Sequence, residues 1–94
     1  MNKYESIIIS NPSVDEAGLK ALEEKFTGLI NENGKVENVV EMGKRKLAYE
    51  IKKLNEAYYV QFDFEAAPES IKELERIYRI TDEILKFITI RKED

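Results

Sequence analysis

The residues best suited to chemistry in this chain form a short run of cations. The segment GKRKLAYEIKK, residues 43–53, holds five of the fifteen Lys and Arg residues and one Glu. Ammonium and guanidinium groups bind phosphate through charge and hydrogen bonds, so this segment could contact a nucleic-acid backbone. The competing interpretation is that the lysines protect an exposed strand edge from pairing with other chains. Composition alone leaves both interpretations open.

The positive charge of this segment contrasts with the acidic character of the whole chain. The formal net charge is −4 at pH 7. Residues 1–42 hold four basic and eight acidic groups, and residues 54–94 hold six and ten. Such a chain is unsuited to coating nucleic acid indiscriminately. A local basic patch can still act, because charges are screened over about 8 Å at physiological salt.

Other chemistry has little support in the sequence. The chain has no His for proton transfer near neutral pH and no Cys nucleophile. No glycine-rich loop opens a helix to hold phosphate. Neighbouring carboxylates such as Glu23 and Glu24 fall on a charged helix face, where solvation explains them. We therefore predict no enzymatic activity, no cofactor and no metal site, with an enzyme that uses Asp or Glu alone as an alternative.

Length and composition predict a single small domain that spans residues 1–94. Hydrophobic residues make up 43% of the chain, which is enough for a globular core. No apolar run approaches the ~18 residues of a membrane span. The first residues, MNKYESIII, lack the features of a secretory signal. With no Cys in the chain, we expect a soluble, cytoplasmic protein that needs no membrane.

Apolar spacing predicts a strand and a helix in the first third of the chain. Residues 4–10, YESIIIS, have the composition of a strand, and Asn11-Pro12 is a turn signal. Ser13 to Glu16 fits a capping box that begins a helix. Its apolar stripe consists of Leu19, Leu22, Phe26, Leu29 and Ile30. Asn33-Gly34 is expected to end the helix with a left-handed residue.

The remaining residues predict a hairpin, a second helix and a last strand. Residues 35–53 form one strand with a bulge at Met42-Gly43, and a turn is expected at 54–56. Residues 57–65 alternate, with Tyr58, Val60, Phe62 and Phe64 on one face and Tyr59, Gln61, Asp63 and Glu65 on the other. Pro68 begins the second helix, and residues 84–92 form the fourth strand.

The predicted order β-α-β-β-α-β indicates an α+β, ferredoxin-like fold. Its four-stranded antiparallel sheet carries both helices on one face, with the first and third strands central and the others at the edges. The basic segment then lies on an edge strand. The open face presents Tyr59 beside Asp63 and Glu65, whose charge would repel phosphates, so base stacking there is not expected. A small-ligand regulatory module of the same fold is the alternative class.

The basic segment also resembles a known family, the bacterial small-subunit ribosomal protein S-six. The matching residues are Gly43, Arg45, Lys46, Leu47, Ala48, Tyr49, Ile51 and Lys52, together with Tyr4-Glu5, Asn11-Pro12 and the run RITDEILKFITIRK at 79–92. The match covers essentially the whole chain. The element order predicted above is also the fold of that family.

The resemblance implies a structural, non-enzymatic protein of the ribosome that acts in translation. Members bind the central domain of small-subunit ribosomal RNA as a heterodimer with ribosomal protein S-eighteen, a basic partner. By position, the candidate contacts to RNA or partner are Lys3, Tyr4, Lys44, Arg45, Lys46, Arg79, Arg91 and Lys92. Some relatives receive glutamates on a long acidic C-terminal tail. Because only Glu93 and Asp94 follow Lys92, that modification is not expected here.

Overall fold

The computed structural model describes residues 1–92 and contains six elements in the predicted order. Their bounds are β1 Asn2–Ser10, α1 Glu16–Asn33, β2 Gly34–Ile51, β3 Leu54–Ala66, α2 Pro68–Ile80 and β4 Ile84–Arg91. The sheet order is β2-β3-β1-β4, and neighbouring strands are antiparallel, as the sequence predicted. Glu93 and Asp94, on which the expectation about glutamate addition rests, lie outside the described residues.

The core lies between the two helices and one face of the sheet. The inward row of β3 contains Val60, Phe62 and Phe64, each at most 1% exposed, and this confirms the predicted alternation. The buried residues of α1 are Leu19, Leu22, Phe26 and Ile30, four of the five in its predicted stripe. Burial of such side chains contributes about 1.5–3 kcal/mol each. This row therefore determines which face of the sheet the helices cover.

A small cluster of hydroxyl groups joins α2 to the sheet. Tyr78 is fully buried, and its hydroxyl lies 2.8 Å from Ser6 Oγ on β1. Ser6 Oγ also lies 3.0 Å from Thr89 Oγ1 on β4. Burial raises the pKa of Tyr78 to about 12, so the phenol stays protonated near neutral pH. Because buried polar groups require partners, this cluster fixes the position of α2 over β1 and β4.

The start of α1 differs from the predicted capping box. Asp15 is the N-cap residue, and its Oδ1 accepts a hydrogen bond from the Gly18 amide at 2.7 Å. Ser13 donates to Asn11 Oδ1 through its amide at 2.9 Å and through its hydroxyl at 2.8 Å. The capping-box prediction is wrong because Asn11 forms a local turn that binds Ser13 before the helix begins.

The end of α1 also differs from the prediction. Gly34 has φ −170° and ψ −153°, an extended conformation, and it is the first residue of β2. A Cβ atom at this position would lie 2.1 Å from the Glu65 carbonyl oxygen. Glycine is therefore required here because β3 approaches closely. The reason is not a left-handed backbone, which the sequence analysis predicted.

The bulge in β2 is where the sequence placed it. The pairing register with β3 shifts between Glu41 and Gly43, and Gly43 has φ 82°. A positive φ is readily adopted by glycine and rarely by other residues. A bulge bends its strand and increases the local twist, so the hairpin beyond Gly43 departs from the plane of the sheet.

The hairpin turn lies at residues 52–53, before the predicted position at 54–56. Residues 54–56 belong to β3, and Ile51 pairs with Leu54 across the turn, so the prediction of a turn at 54–56 is wrong. The two turn residues are Lys52 and Lys53, with φ 48° and 66°. Two positive φ values are typical of a type I′ turn, which usually contains Asn-Gly. The sequence signal was missed because two lysines occupy a turn that glycine and asparagine normally form.

Candidate nucleic-acid interface

The register of the sheet divides the predicted contact residues into two groups. Lys44 lies opposite Tyr58, and Tyr58 lies opposite Ser10, where the sheet continues into the hairpin. Tyr4 lies opposite Arg91 near the other end of β1. Six residues at ~3.3 Å each separate Tyr4 from Ser10, so the two groups are about 20 Å apart.

We name these groups by their position in the sheet. The hairpin end contains Lys44, Arg45, Lys46 and Arg79, the last of which lies in the final turn of α2. The terminal end contains Lys3, Tyr4, Arg91 and Lys92. The structure therefore does not bring the eight predicted residues together at one site.

Carboxylates neutralise the two lysines of the terminal end. Lys92 Nζ donates to Asp63 Oδ1 at 2.9 Å, and this hydrogen bond raises the pKa of Lys92. Lys3 Nζ lies 3.7 Å from Glu37 Oε2. Both ion pairs are at the surface, where each contributes little stability. Their main effect is that the terminal end presents little free positive charge.

The other two residues of the terminal end differ in exposure. Tyr4 is 8% exposed, and its ring stacks on Phe64 with the centroids 5.7 Å apart, so it belongs to the core. Arg91 is exposed and makes no ion pair with any residue among 1–92. Of the predicted residues at this end, Arg91 alone combines exposure with uncompensated charge in the described chain.

The cations of the hairpin end make a different kind of contact. Lys44 Nζ lies 5.5 Å from the centroid of the Tyr58 ring. Arg45 Nε donates to the Met42 carbonyl oxygen at 3.2 Å. Aromatic rings and carbonyl groups hold a cation in place without cancelling its charge. The basic side chains of this end therefore remain available to an anion.

The hairpin also contains two carboxylates, Glu50 and Glu56, and neither makes an ion pair with its lysines, although Glu56 lies opposite Lys46 in the register. The ion pairs found within residues 1–92 are Lys3–Glu37, Lys20–Glu41, Arg76–Glu73 and Lys92–Asp63. All four lie outside the hairpin end. The basic segment concentrates five of the fifteen Lys and Arg residues in eleven positions, and none of the five makes an ion pair within residues 1–92.

The hairpin curves across the end of the sheet and brings in a cation that the sequence did not indicate. Lys86 of β4 donates to the Tyr49 hydroxyl at 2.6 Å, and its Nζ lies 5.3 Å from the centre of that ring. Because β2 and β4 are opposite edges of the sheet, this contact requires the hairpin to pass over the ends of β3 and β1. Twist and the Gly43 bulge produce such curvature, which no local pattern predicts.

The open face of the sheet, on the side away from the helices, combines apolar and acidic groups. Ile88 and Ile90 of β4 are 47% and 51% exposed. Glu5, Asp63 and Glu65 lie on the same face, with Glu5 opposite both Asp63 and Ile90. The predicted position of Asp63 and Glu65 is confirmed. Exposed isoleucines beside carboxylates suit a protein partner better than a nucleotide chain.

One carboxylate on α1 is not solvated in the way the sequence suggested. Glu23 is partly buried, and its Oε2 has no hydrogen-bond partner in the described chain. Burial, and then hydrogen bonding to Glu41, raise the pKa of Glu23 to about 7. Lys20 donates to Glu41 Oε1 at 2.9 Å, and hydrogen bonds from Glu23 and Lys20 lower the pKa of Glu41. These groups link α1 to the exposed edge of β2.

Residues 1–92 hold no cluster of three or more His, Cys, Asp or Glu side chains that could bind a metal ion. Over the same residues, neither helix combines the length and the apolar character needed to cross a membrane.

Comparisons with known proteins agree with this architecture. A family model described as Ribosomal protein S6 matches residues 3–91. The small ribosomal subunit protein bS6 of Clostridium perfringens is 54% identical over 94 residues, covering 99% of each chain. The corresponding protein of Clostridium novyi is 52% identical with the same coverage.

Solved structures share the fold. The crystal structure of 30S ribosomal protein S6 from Thermotoga maritima has a TM-score of 0.92 and 41% identity, covering 97% of this chain and 87% of that chain. An Arabidopsis thaliana protein with 15% identity and a TM-score of 0.59, covering 100% of this chain and 95% of its own, shares the fold alone. Because the family model spans both ends of the sheet and the hairpin, the chain belongs to the ribosomal protein S6 family.

Proposed function

We propose that this chain binds the central domain of small-subunit ribosomal RNA together with ribosomal protein S-eighteen. As a member of the S6 family, it is a structural protein of the small ribosomal subunit rather than an enzyme. The observation that carries the proposal is the uneven neutralisation of charge. Carboxylates pair with the lysines of the terminal end, whereas the cations of the hairpin end make no ion pair within residues 1–92. Unpaired cations displace counterions from phosphates, and that displacement supplies affinity for RNA.

The hairpin end supplies the RNA-binding surface in this proposal. Lys44, Arg45 and Lys46 follow one another on β2, an edge strand, and all three are exposed. Consecutive residues of a strand point to alternate faces, so these cations reach around the edge instead of lining one face. Such an arrangement fits a phosphate backbone that passes along the edge of the sheet.

The open face supplies the protein-binding surface. Ile88 and Ile90 offer apolar area, and Glu5, which lies opposite Ile90, offers negative charge beside it. A basic protein with an apolar contact patch is complementary to both features. Ribosomal protein S-eighteen has the basic character that this surface requires, and it would bring further cations to the RNA. An acidic chain then needs only one basic edge of its own.

The RNA contact is tested by the dependence of binding on salt. One variant replaces Lys44, Arg45 and Lys46 with Ala, and a control of equal charge replaces Lys25, Lys72 and Arg76, which lie on the helices. We measure the affinity for a central-domain RNA fragment, with S-eighteen present, across a range of salt concentrations. The slope of log affinity against log salt should become shallower by up to about 2.7 for the first variant, about 0.9 per lost duplex contact. Equal slopes for the two variants would rule out the hairpin end as the phosphate site.

The small-ligand alternative needs a pocket that the helices do not provide. The cavity between α1 and α2, lined by apolar residues such as Leu29 and Leu74 and by polar ones such as Glu32 and Glu73, has a volume of about 50 Å³. Ligand sites usually measure about 300–1,000 Å³ and contain convergent polar groups. This cavity is too small to hold a metabolite, so it does not favour the alternative.

A further inference from the structure

We infer that a cleft between the hairpin turn and the α2–β4 corner binds one backbone phosphate group of RNA through Lys52, Arg79 and Lys86. The cleft has a volume of about 320 Å³ and lies where the turn folds over the beginning of β4. The lining residues of the cleft support the binding of a phosphate group. The identification of RNA as the source of the phosphate rests on the proposed function.

Three cations reach the cleft from three separate elements. Lys52 comes from the hairpin turn, Arg79 from the last turn of α2 and Lys86 from β4. The other lining residues are Tyr78, Ile84, Leu85 and Phe87, so within the described chain no carboxylate faces the cleft. The lining is therefore basic and apolar, a composition that attracts an anion.

Nearby acidic side chains do not neutralise these cations. Asp82 and Glu83 occupy the turn between α2 and β4, but neither lines the cleft. Neither of them makes an ion pair in the described part of the chain. The positive charge of the cleft is therefore not compensated by residues 1–92.

Aromatic rings position two of the three cations before any ligand binds. The Arg79 guanidinium lies 5.4 Å from the centre of the Phe87 ring. Lys86 is held by the Tyr49 hydroxyl at 2.6 Å and lies 5.3 Å from the centre of that ring. A guanidinium placed in this way offers its planar set of donors to phosphate oxygens. Such positioning lowers the entropy lost when a phosphate binds.

The backbone of the hairpin turn points to the same site. Lys52 and Lys53 have positive φ values, which side chains other than glycine and asparagine adopt at a cost in free energy. Asn-Gly would form this turn without that cost. Backbone strain of this kind is typical of functional sites. Of the two turn residues, Lys52 lines the cleft.

The first arm of the test uses inorganic phosphate and the free protein. Amide resonances of ¹⁵N-labelled protein are followed during phosphate addition, with chloride at equal ionic strength as reference. We expect saturable shifts at Lys52, Arg79 and Lys86 that chloride does not produce. Arg79→Ala should weaken phosphate binding roughly tenfold. Lys72→Ala, which removes a lysine of α2 outside the cleft, should leave it unchanged.

The second arm uses the central-domain RNA fragment with S-eighteen. Arg79→Ala should lower the affinity roughly tenfold, and Arg79→Lys should lower it less because the charge is kept. Circular dichroism confirms that each variant is folded. Phosphate shifts spread evenly over the surface, or equal RNA affinity for Arg79→Ala and Lys72→Ala, would overturn the inference. If the unmodified protein fails to bind RNA, the proposed function is wrong. The phosphate arm by itself then shows whether the cleft binds phosphate.

Discussion

Individual cations in this protein have two kinds of neighbour, and the difference decides what each cation is free to do. Lys3 and Lys92 contact carboxylates, which cancel their charge. Lys44, Arg79 and Lys86 lie against aromatic rings. A ring attracts a cation through its quadrupole but carries no net charge, so the cation keeps its attraction for an anion. Residues of the same type are therefore neutralised at the terminal end and remain available for binding at the hairpin end.

Glu23 is the residue whose protonation should be visible in the stability of the fold. Its pKa is raised from 4.5 to about 7 by burial and then by Glu41, while Lys20 opposes the shift and Glu24 adds to it. The native state therefore holds a proton that the unfolded chain releases between these two pH values. The free energy of unfolding should fall as pH rises from about 4.5 to about 7 and then level off.

Replacing Glu23 with Gln should remove this pH dependence, because an amide keeps a donor for Glu41 and never ionises. We expect the free energy of unfolding of Glu23→Gln to exceed that of the unmodified protein by about 1 kcal/mol at pH 8 and to equal it at pH 5. The difference at pH 8 is small because Glu23 is only partly buried. Urea unfolding at several pH values measures the difference. Glu32→Gln is the control, since Glu32 is exposed on the same helix. A constant offset between Glu23→Gln and the unmodified protein at all pH values would contradict this account.

The β2-β3 hairpin is the element that connects the fold to the candidate site. Its bulge at Gly43 bends the strands, and its two-lysine turn places positive charge at the tip. The conformation of the turn is unfavourable for lysine, so stability and binding should respond in opposite directions to substitution there.

We expect Lys52→Asn combined with Lys53→Gly to stabilise the protein by about 1 kcal/mol, because Asn-Gly fits a type I′ turn. The same change should weaken binding to the RNA fragment, because it removes the cation at position 52 from the cleft. Lys53→Gly alone is the matched control, since it relieves one positive φ and leaves Lys52 in place. Thermal unfolding and RNA titration of the three proteins provide the comparison. Loss of stability in the double variant would show that the lysines do not strain the turn.

Much of the architecture was predictable, because each strand and helix has its own apolar period. Alternation in 57–65 identified the buried row of β3, and the position of Gly43 identified the bulge. The cap of α1 was not predictable from the Ser13–Glu16 pattern, since Asn11 competes for Ser13. The turn at Lys52-Lys53 was missed because its backbone conformation is unusual for lysine.

The candidate site was predictable only in part. Lys44, Arg45 and Lys46 are consecutive in the sequence, so their shared location on an edge strand follows from the fold. The approach of Tyr49 to Lys86 joins opposite edges of the sheet and depends on curvature of the whole hairpin. Contacts of this kind arise from tertiary structure, and no spacing in the chain encodes them.

At the scale of the whole molecule, the charges are arranged so that an acidic chain presents two surfaces of opposite character. The hairpin end is basic, while the open face near the terminal end carries Glu5, Asp63 and Glu65. In the proposed function these surfaces bind RNA and S-eighteen respectively. Because the surfaces are separate, substitutions in one should leave the other intact.

Substitutions on the open face should therefore weaken partner binding and leave the direct RNA contact unchanged. Replacing Ile88 and Ile90 with Asn removes apolar area without changing the charge, and we expect the affinity for S-eighteen to fall by at least about 1 kcal/mol. Titration of purified S-eighteen by calorimetry measures this loss. The salt dependence of RNA binding by the variant without S-eighteen should stay that of the unmodified chain, because the hairpin end is untouched.

Ile80→Asn is the matched control for this experiment, since Ile80 is 64% exposed but lies on α2, on the other side of the sheet. Its affinity for S-eighteen should equal that of the unmodified protein. If Ile80→Asn weakens the complex as much as the open-face variant, apolar exposure in general, and not this face, determines the interaction. If the open-face variant binds S-eighteen with full affinity, the partner occupies another surface, and the carboxylates of Glu5, Asp63 and Glu65 have no part in attracting it.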